Sequence, residues 1–367
     1  MAGAVASARD AGDAVTGRMP LIEALRALAS TIIAWHHLCL YWPPTAELVP
    51  VFSAAVLWLR ENGRATQLFF VIGGFVMAQS MARRRWDLAV LRGYAAHRYL
   101  RLALPYLAAM VLAIAVCALG RGQVSAHVTG EAPTPGQVLA HVFFLQKILG
   151  YESFSAGMWF VCINFQLSLL FALGLWWRDA LPQRWRWLPM AVAWLLAAGC
   201  LFYFNLDDRW DMWALYFFAH FFTGVMAWYG LRSPRRAAAF WGFLLMSAVA
   251  LVWRCAQDGW QLELPTARMV VALAVGLVLH LGARTGFGRR WPRGAAVGYL
   301  GRTSYSLFLV HFPVLVLVLT IWSWLEWLTP HGQIAGLGVT YLLSLLAANV
   351  FYRYIETPAA RVSREFS

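Results

Sequence analysis

Apolar residues in this chain fall into long blocks separated by short polar joints rich in arginine. Blocks of roughly 17 to 25 residues, the length that crosses a ~30 Å hydrocarbon core, recur near 21–42, 65–82, 102–119, 157–177, 187–204, 211–230, 239–255, 266–282, 301–324 and 335–355. The pattern predicts an all-α polytopic membrane protein of about ten transmembrane helices. The first block differs from the others because Glu23, Arg26, Ser30, His36 and His37 interrupt it. Charged groups at membrane depth are costly and usually functional. At about 100° per residue, Glu23, Arg26, Ser30 and His37 share one stripe of this helix, while His36 points about 100° away from His37 and is expected to be a structural neighbour.

Composition agrees with the pattern. Hydrophobic residues make up 61 % of the chain and charged residues 13 %, against about a quarter charged in soluble domains. The net charge of +13 would suit a nucleic-acid partner, but its distribution argues otherwise. Following the even-numbered blocks and at the termini stand 21 arginines, whereas the alternate joints hold six cationic residues, Arg60, Arg64, Arg121, Lys147, Arg209 and Arg254. That asymmetry is the positive-inside bias. It predicts both termini in the cytoplasm and makes nucleic-acid binding improbable. Residues 1–19 lack an apolar core, so a flexible cytoplasmic N-terminus without a cleavable signal is expected, with 356–367 as a cytoplasmic tail. No Gly/Ser linker divides the chain, which is expected to form one membrane domain over 1–367. The five cysteines lie in different apolar blocks with no metal-ligand spacing, so no metal is expected. Many of the 20 tryptophans stand near block ends, where amphipathic rings favour the interface.

If the first helix enters from the cytoplasm, Arg26 lies about one turn inside and His37 about 16 Å further along the axis. Arg98 and Arg101, ahead of Pro105, place two guanidiniums at i and i+3 on one helix face, an arrangement suited to phosphate oxygens as well as to orientation. Glu23 and Arg26 form either a neutralised structural couple or part of a site. Further polar insertions are Trp159, Asn164 and Gln166 in the fourth block, Ser304 and Tyr305 leading to His311 in the ninth, and Glu356 with Pro358 after the last. His127, His141, His220, His280 and His331 are isolated and read as background.

Taken in order, six of these segments resemble the acyltransferase-3 family of integral-membrane acyltransferases. Glu23-Ala-Leu-Arg26 with His37 is similar to that family's first-helix signature, and Phe69-Phe70-Val71-Ile72-Gly73-Gly74-Phe75 to its second-helix motif. Arg98-Tyr99-Leu100-Arg101 with Pro105 resembles the arginine pair opening the third helix, and Met158-Trp159 through Asn164 and Gln166 the segment that normally carries an acid. Gly301 through Ser304-Tyr305 to His311, and Glu356-Thr357-Pro358, resemble the two closing motifs. Gly73 in place of the usual serine, Pro105 one residue late, and Asn164 in place of an acid are departures. An amide cannot act as a general base, although it can hydrogen-bond.

The resemblance implies an acyl-CoA donor, with acetyl as the family-level expectation, and an acceptor hydroxyl on a cell-envelope or exported polysaccharide, free or lipid-linked, at the bacterial inner membrane. On that reading Arg98 and Arg101, with Arg26, hold the donor's phosphates. His37 is general base or forms an acyl-histidine, and His311 or Tyr305 orients the base or stabilises the oxyanion. Glu23, Trp159, Asn164 and Ser304 stand as supporting residues. The partners so implied are acyl-CoA, the glycan acceptor, membrane lipids and a separate acyl-accepting protein if transfer proceeds in two stages. Two rivals remain: a transporter or flippase for a lipid-linked sugar or small molecule, and a catalytically silent relative serving as a subunit or sensor.

Overall fold

The computed structural model describes residues 19–42, 50–63, 65–81, 84–257, 264–292 and 294–366. The expected flexible segment over 1–19 lies outside them except for Met19, as do Arg9, Arg18, Arg64, Arg83 and Arg293 of the charge distribution. Among the described residues no β-strand forms; one isolated bridge joins Arg121 to Val124. Each of the ten predicted blocks is helical: α1 Pro20–Tyr41, α3 Thr66–Met81, α4 Leu88–Gly120, α7 Met158–Ala180, α8 Leu188–Phe202, α9 Ala214–Tyr229, α10 Pro234–Gln257, α11 Leu264–Arg284, α13 Ala295–Trp324 and α14 Pro330–Phe351. Between them lie α2 Pro50–Asn62, α5 Ala126–Thr129, α6 Pro135–Val142 and α12 Phe287–Arg290, and α15 Thr357–Val362 closes the chain.

Eight helices among the described residues are long and apolar enough to cross a membrane, and α3 is a shorter apolar helix. The chain is an all-α multi-pass membrane protein. The first helix is not among the eight because the polar groups at 23, 26, 30, 36 and 37 dilute its apolar character. The two largest differences from the pattern are helix starts. Helix α4 begins at Leu88 rather than 102, carrying Arg92, Arg98 and Arg101 within one continuous helix that includes Pro105. Helix α13 likewise begins six residues early, at Ala295.

The chain divides into two compact units, each built from three stretches. The first takes Met1–Ala27, Gln67–Asp87 and Leu173–Arg302; the second takes Leu28–Thr66, Leu88–Ala172 and Thr303–Ser367. Within the first unit α3 crosses α9 at Gly74 and Gly224. A Cβ on either glycine would collide with the other helix's backbone, at the Phe221 carbonyl and the Val71 carbonyl respectively. Small residues at such a crossing let helices approach where lipid supplies no hydrophobic drive for association. Around it Phe70 stacks on Phe217 at 4.7 Å and Phe75 meets Trp228 edge-on at 5.7 Å. Glu23 belongs to this unit, where its backbone abuts Gly301 so closely that no side chain fits there.

The second unit packs Leu38 and Trp42 of α1's end against Val116 and Cys117 of α4, Phe312, Leu315, Val316 and Leu319 of α13, and Leu337 of α14. Trp35 lies 5.0 Å from Tyr341, whose hydroxyl reaches Thr31 at 3.4 Å. The stretch between α4 and α7 is held by polar clasps. His141 donates from Nδ1 to the Gln137 carbonyl (2.8 Å) and accepts the Phe154 N–H at Nε2 (3.4 Å), while Gln146 donates to the Tyr106 hydroxyl at 3.0 Å. Two bonds converge on the carbonyl of Phe144, from Cys162 and Gln166.

Candidate active site

The site grows out of the second unit, in which α1, α4, α7 and α13 bring most of the predicted residues together. His37 on α1 and His311 on α13 are 274 positions apart in sequence, yet their rings lie nearly parallel, 7° between planes, with His37 Nδ1 2.7 Å from His311 Nε2. His311 is fully buried, and its Nδ1 faces the Leu307 carbonyl at 2.9 Å. A carbonyl only accepts, so Nδ1 of His311 carries the proton and its Nε2 offers the lone pair. The Nδ1–H of His37 must then be the donor between the rings, and in neutral His37 the basic lone pair resides on Nε2. One backbone carbonyl thereby sets the tautomer of two imidazoles. His37 is half-buried, so its ring is not sealed in the core as His311 is.

Tyr41 lies one turn beyond His37 with ring centroids 5.9 Å apart, and Phe308 stands 6.1 Å from His311. Phe160 reaches Phe308 at 5.2 Å, and half-buried Trp159 meets Phe160 edge-on at 6.3 Å. Gly157 allows this approach, because a Cβ there would strike the Phe308 ring and carbonyl. His36 is buried, with Nδ1 3.0 Å from the Leu59 carbonyl of α2, the structural part its helical phase predicts.

Six residues before His311, about 9 Å along the helix axis, Tyr305 donates its hydroxyl to the Leu102 carbonyl at 3.1 Å. Leu102 adjoins Arg101, and Tyr305 lies in the field of Arg98, Arg101 and Glu356. Arg98 is half-buried and Arg101 exposed. Among the described residues neither guanidinium pairs with a carboxylate, and Nε of Arg98 is buried with no hydrogen-bond partner. A cation held out of water without a counter-charge is costly; Arg98 is so placed, and the exposed Arg101 adds a second positive charge beside it. Ser304 is buried on the same helix, and Ser306 donates to Glu356 at 2.5 Å. Glu356 ends a π turn, Tyr352–Glu356, that breaks the α-helical register between α14 and α15. Such turns are frequent at functional sites.

Glu23 and Arg26, both half-buried on α1, belong to the first unit. Asn164 sits on α7 with Oδ1 buried and unpartnered. Sequence reasoning gave Ser306 no role of its own and missed Tyr41 and Tyr94. Tyr94, one turn before Arg98, hydrogen-bonds Ser168, and its spacing of four from Arg98 is the signal that points to it. No group of three His, Cys, Asp or Glu close enough to hold a metal occurs among the described residues.

A pair of coupled imidazoles with one tautomer, on a helix whose Tyr305 bonds the backbone next to Arg101, can take a proton from a hydroxyl, and the arginine pair can hold an anionic substrate. No curated protein and no solved structure matches the chain. The family model described as an acyltransferase domain, that of the acyltransferase-3 family, matches residues 20–349, which contain both histidines and both arginines. The chain therefore belongs to the acyltransferase-3 family and is a membrane acyltransferase.

Proposed function

We propose that this acyltransferase moves an acyl group, acetyl in the first instance, from cytoplasmic acyl-CoA to a hydroxyl of a cell-envelope or exported polysaccharide, and that it works in a bacterial inner membrane with both termini in the cytoplasm. The observation that carries the reading is the His37–His311 contact, anchored on Leu307, which puts a basic lone pair on Nε2 of His37. Arg98 and Arg101 hold the donor, with the exposed Arg101 taking its phosphates. The ~9 Å along α13 from Tyr305 to His311 lies within the span of an extended pantetheine arm.

In the reaction Nε2 of His37 takes the proton of the acceptor hydroxyl as its oxygen attacks the thioester carbon. The new C–O bond forms, the C–S bond breaks, and the proton on His37 passes to the departing thiolate, giving an ester, CoA thiol and neutral His37. His311 accepts a hydrogen bond from Nδ1 of His37 throughout and so disperses the positive charge of the imidazolium that forms.

Mass spectrometry of surface glycans tests the substrate class. A strain lacking the protein is expected to lose one O-acetyl substituent that returns with wild-type protein and not with His37→Ala. Identical glycan profiles in the presence and absence of the protein overturn the acceptor assignment.

A further inference from the structure

Helices α4 and α7 pack at the level of Arg98 through two contacts in the second unit. The Tyr94 hydroxyl bonds Ser168, which in turn donates to the backbone carbonyl of Asn164 at 2.5 Å. Tyr99 and Phe165, the neighbours of Arg98 and Asn164, meet edge-on at 6.0 Å. Antiparallel pairing of 94 with 168 and of 99 with 165 brings Arg98 and Asn164 to one height between the two helices. Each contributes a buried polar atom with no partner: Nε–H of Arg98, a donor, and Oδ1 of Asn164, an acceptor. Buried polar groups in folded proteins are almost always satisfied. Two complementary orphans at one level therefore mark a place where a ligand completes both.

The buried orphan at His220 is of another kind. His220 is buried with both ring nitrogens unpartnered, but its resolved electrostatic neighbour is a cation, Arg268. The Arg98–Asn164 couple calls for a ligand that accepts and donates from adjacent atoms. A secondary amide does so: its C=O accepts from Arg98 and its N–H donates to Asn164. A carboxylate or phosphate satisfies Arg98 but confronts the Asn164 oxygen with another acceptor.

We infer that Arg98 Nε and Asn164 Oδ1, with Asn164 held by Ser168 and Tyr94, form a subsite for a secondary amide, namely an amide of the donor's pantetheine arm. The assignment rests on the acyl-CoA reading above and adds to it the residues that recognise the uncharged part of the donor. Arg101, more exposed, serves the phosphates. The family's usual acid at 164 would offer Arg98 an internal counter-ion; the amide leaves that guanidinium available to the arm.

Competition binding on the purified full-length chain in detergent tests this. Labelled CoA is displaced by pantetheine, which has the amides and no phosphate, or by adenosine bisphosphate, which has phosphates and no amide. Both are expected to compete in the wild type. Asn164→Leu should weaken pantetheine about ten-fold, the scale of one buried hydrogen bond, and leave adenosine bisphosphate unchanged. Arg101→Ala should do the reverse. If Asn164→Leu does not fold, Asn164→Ala replaces it with the same expectation. Pantetheine that fails to compete in the wild type, or an Asn164 variant that affects both competitors equally or neither, overturns the subsite. A wild type that binds no CoA overturns the donor reading itself.

Discussion

Replacing His311 with Ala removes the acceptor that fixes the His37 tautomer. In the intact pair the 2.7 Å contact and the 2.9 Å anchor on Leu307 leave one arrangement of protons. Without His311, Nδ1–H of His37 loses a buried partner and the basic lone pair distributes between both nitrogens. Loss of a neutral hydrogen bond costs about 1 kcal/mol, roughly five-fold in rate at ~1.4 kcal/mol per decade. Loss of the dispersed imidazolium charge and of orientation adds to this, and general-base catalysis as a whole is worth about 10² to 10⁴. His311→Ala is therefore expected to lower kcat by about 10² while leaving the dissociation constant for CoA within two-fold, since the arginines are untouched. His311→Gln, which retains a side-chain acceptor, should recover part of the loss. The assay is thiol release from acetyl-CoA by purified protein supplied with its acceptor. It is paired with nitrogen-15 spectra of the histidine rings, which distinguish protonated from unprotonated nitrogens. Retention of more than half the wild-type kcat, or a His37 ring protonated at Nε2 in the wild type at neutral pH, refutes the tautomer argument.

Other outcomes follow from particular contacts. Gly224→Ala should lower thermal stability by about 3 kcal/mol or more, because its Cβ meets the Val71 backbone rather than a flexible side chain; detergent melting curves read this, and an unchanged midpoint refutes the crossing. Glu356→Ala removes the carboxylate that Ser306 binds at 2.5 Å and should cost about 1.5 to 3 kcal/mol, visible as a lowered midpoint in the same melts. His141, outside the membrane-spanning helices, has its pKa lowered by burial. Its contribution to stability is fully present above the unfolded value of about 6.5 and is lost as pH falls through the lowered folded value; His141→Gln should flatten that part of the stability–pH curve. Arg101→Ala should weaken CoA binding and reduce the dependence of that binding on salt.

The helices were legible because a bilayer leaves few alternatives: spans must be long, apolar and internally hydrogen-bonded, and every block between 21 and 355 is helical. Helix α2 was not, since Pro50–Asn62 is short and mixed in character, with Leu57 and Trp58 exposed. Nor was the start of α4, where Arg92, Arg98 and Arg101 interrupt the apolar pattern without interrupting the helix. His37 and the arginine pair stood out as polar groups in apolar sequence. His311 and Asn164 were named through the family resemblance, but their placement was not legible from the residues, because neither the 274-residue separation of His37 from His311 nor the level of Asn164 opposite Arg98 is encoded in any local period. Glu356 shows the same limit, since nothing in Tyr352, Arg353, Tyr354 and Ile355 announces a π turn.

The claim at the centre is that the His37 imidazole deprotonates an acceptor hydroxyl on a thioester delivered from the arginine pair. Acceptor-dependent release of CoA by the purified chain tests it most directly, comparing wild type with His37→Ala at saturating acetyl-CoA. The account predicts release in the wild type that requires the acceptor, and its loss in His37→Ala with CoA binding retained. Equal release by both proteins contradicts it.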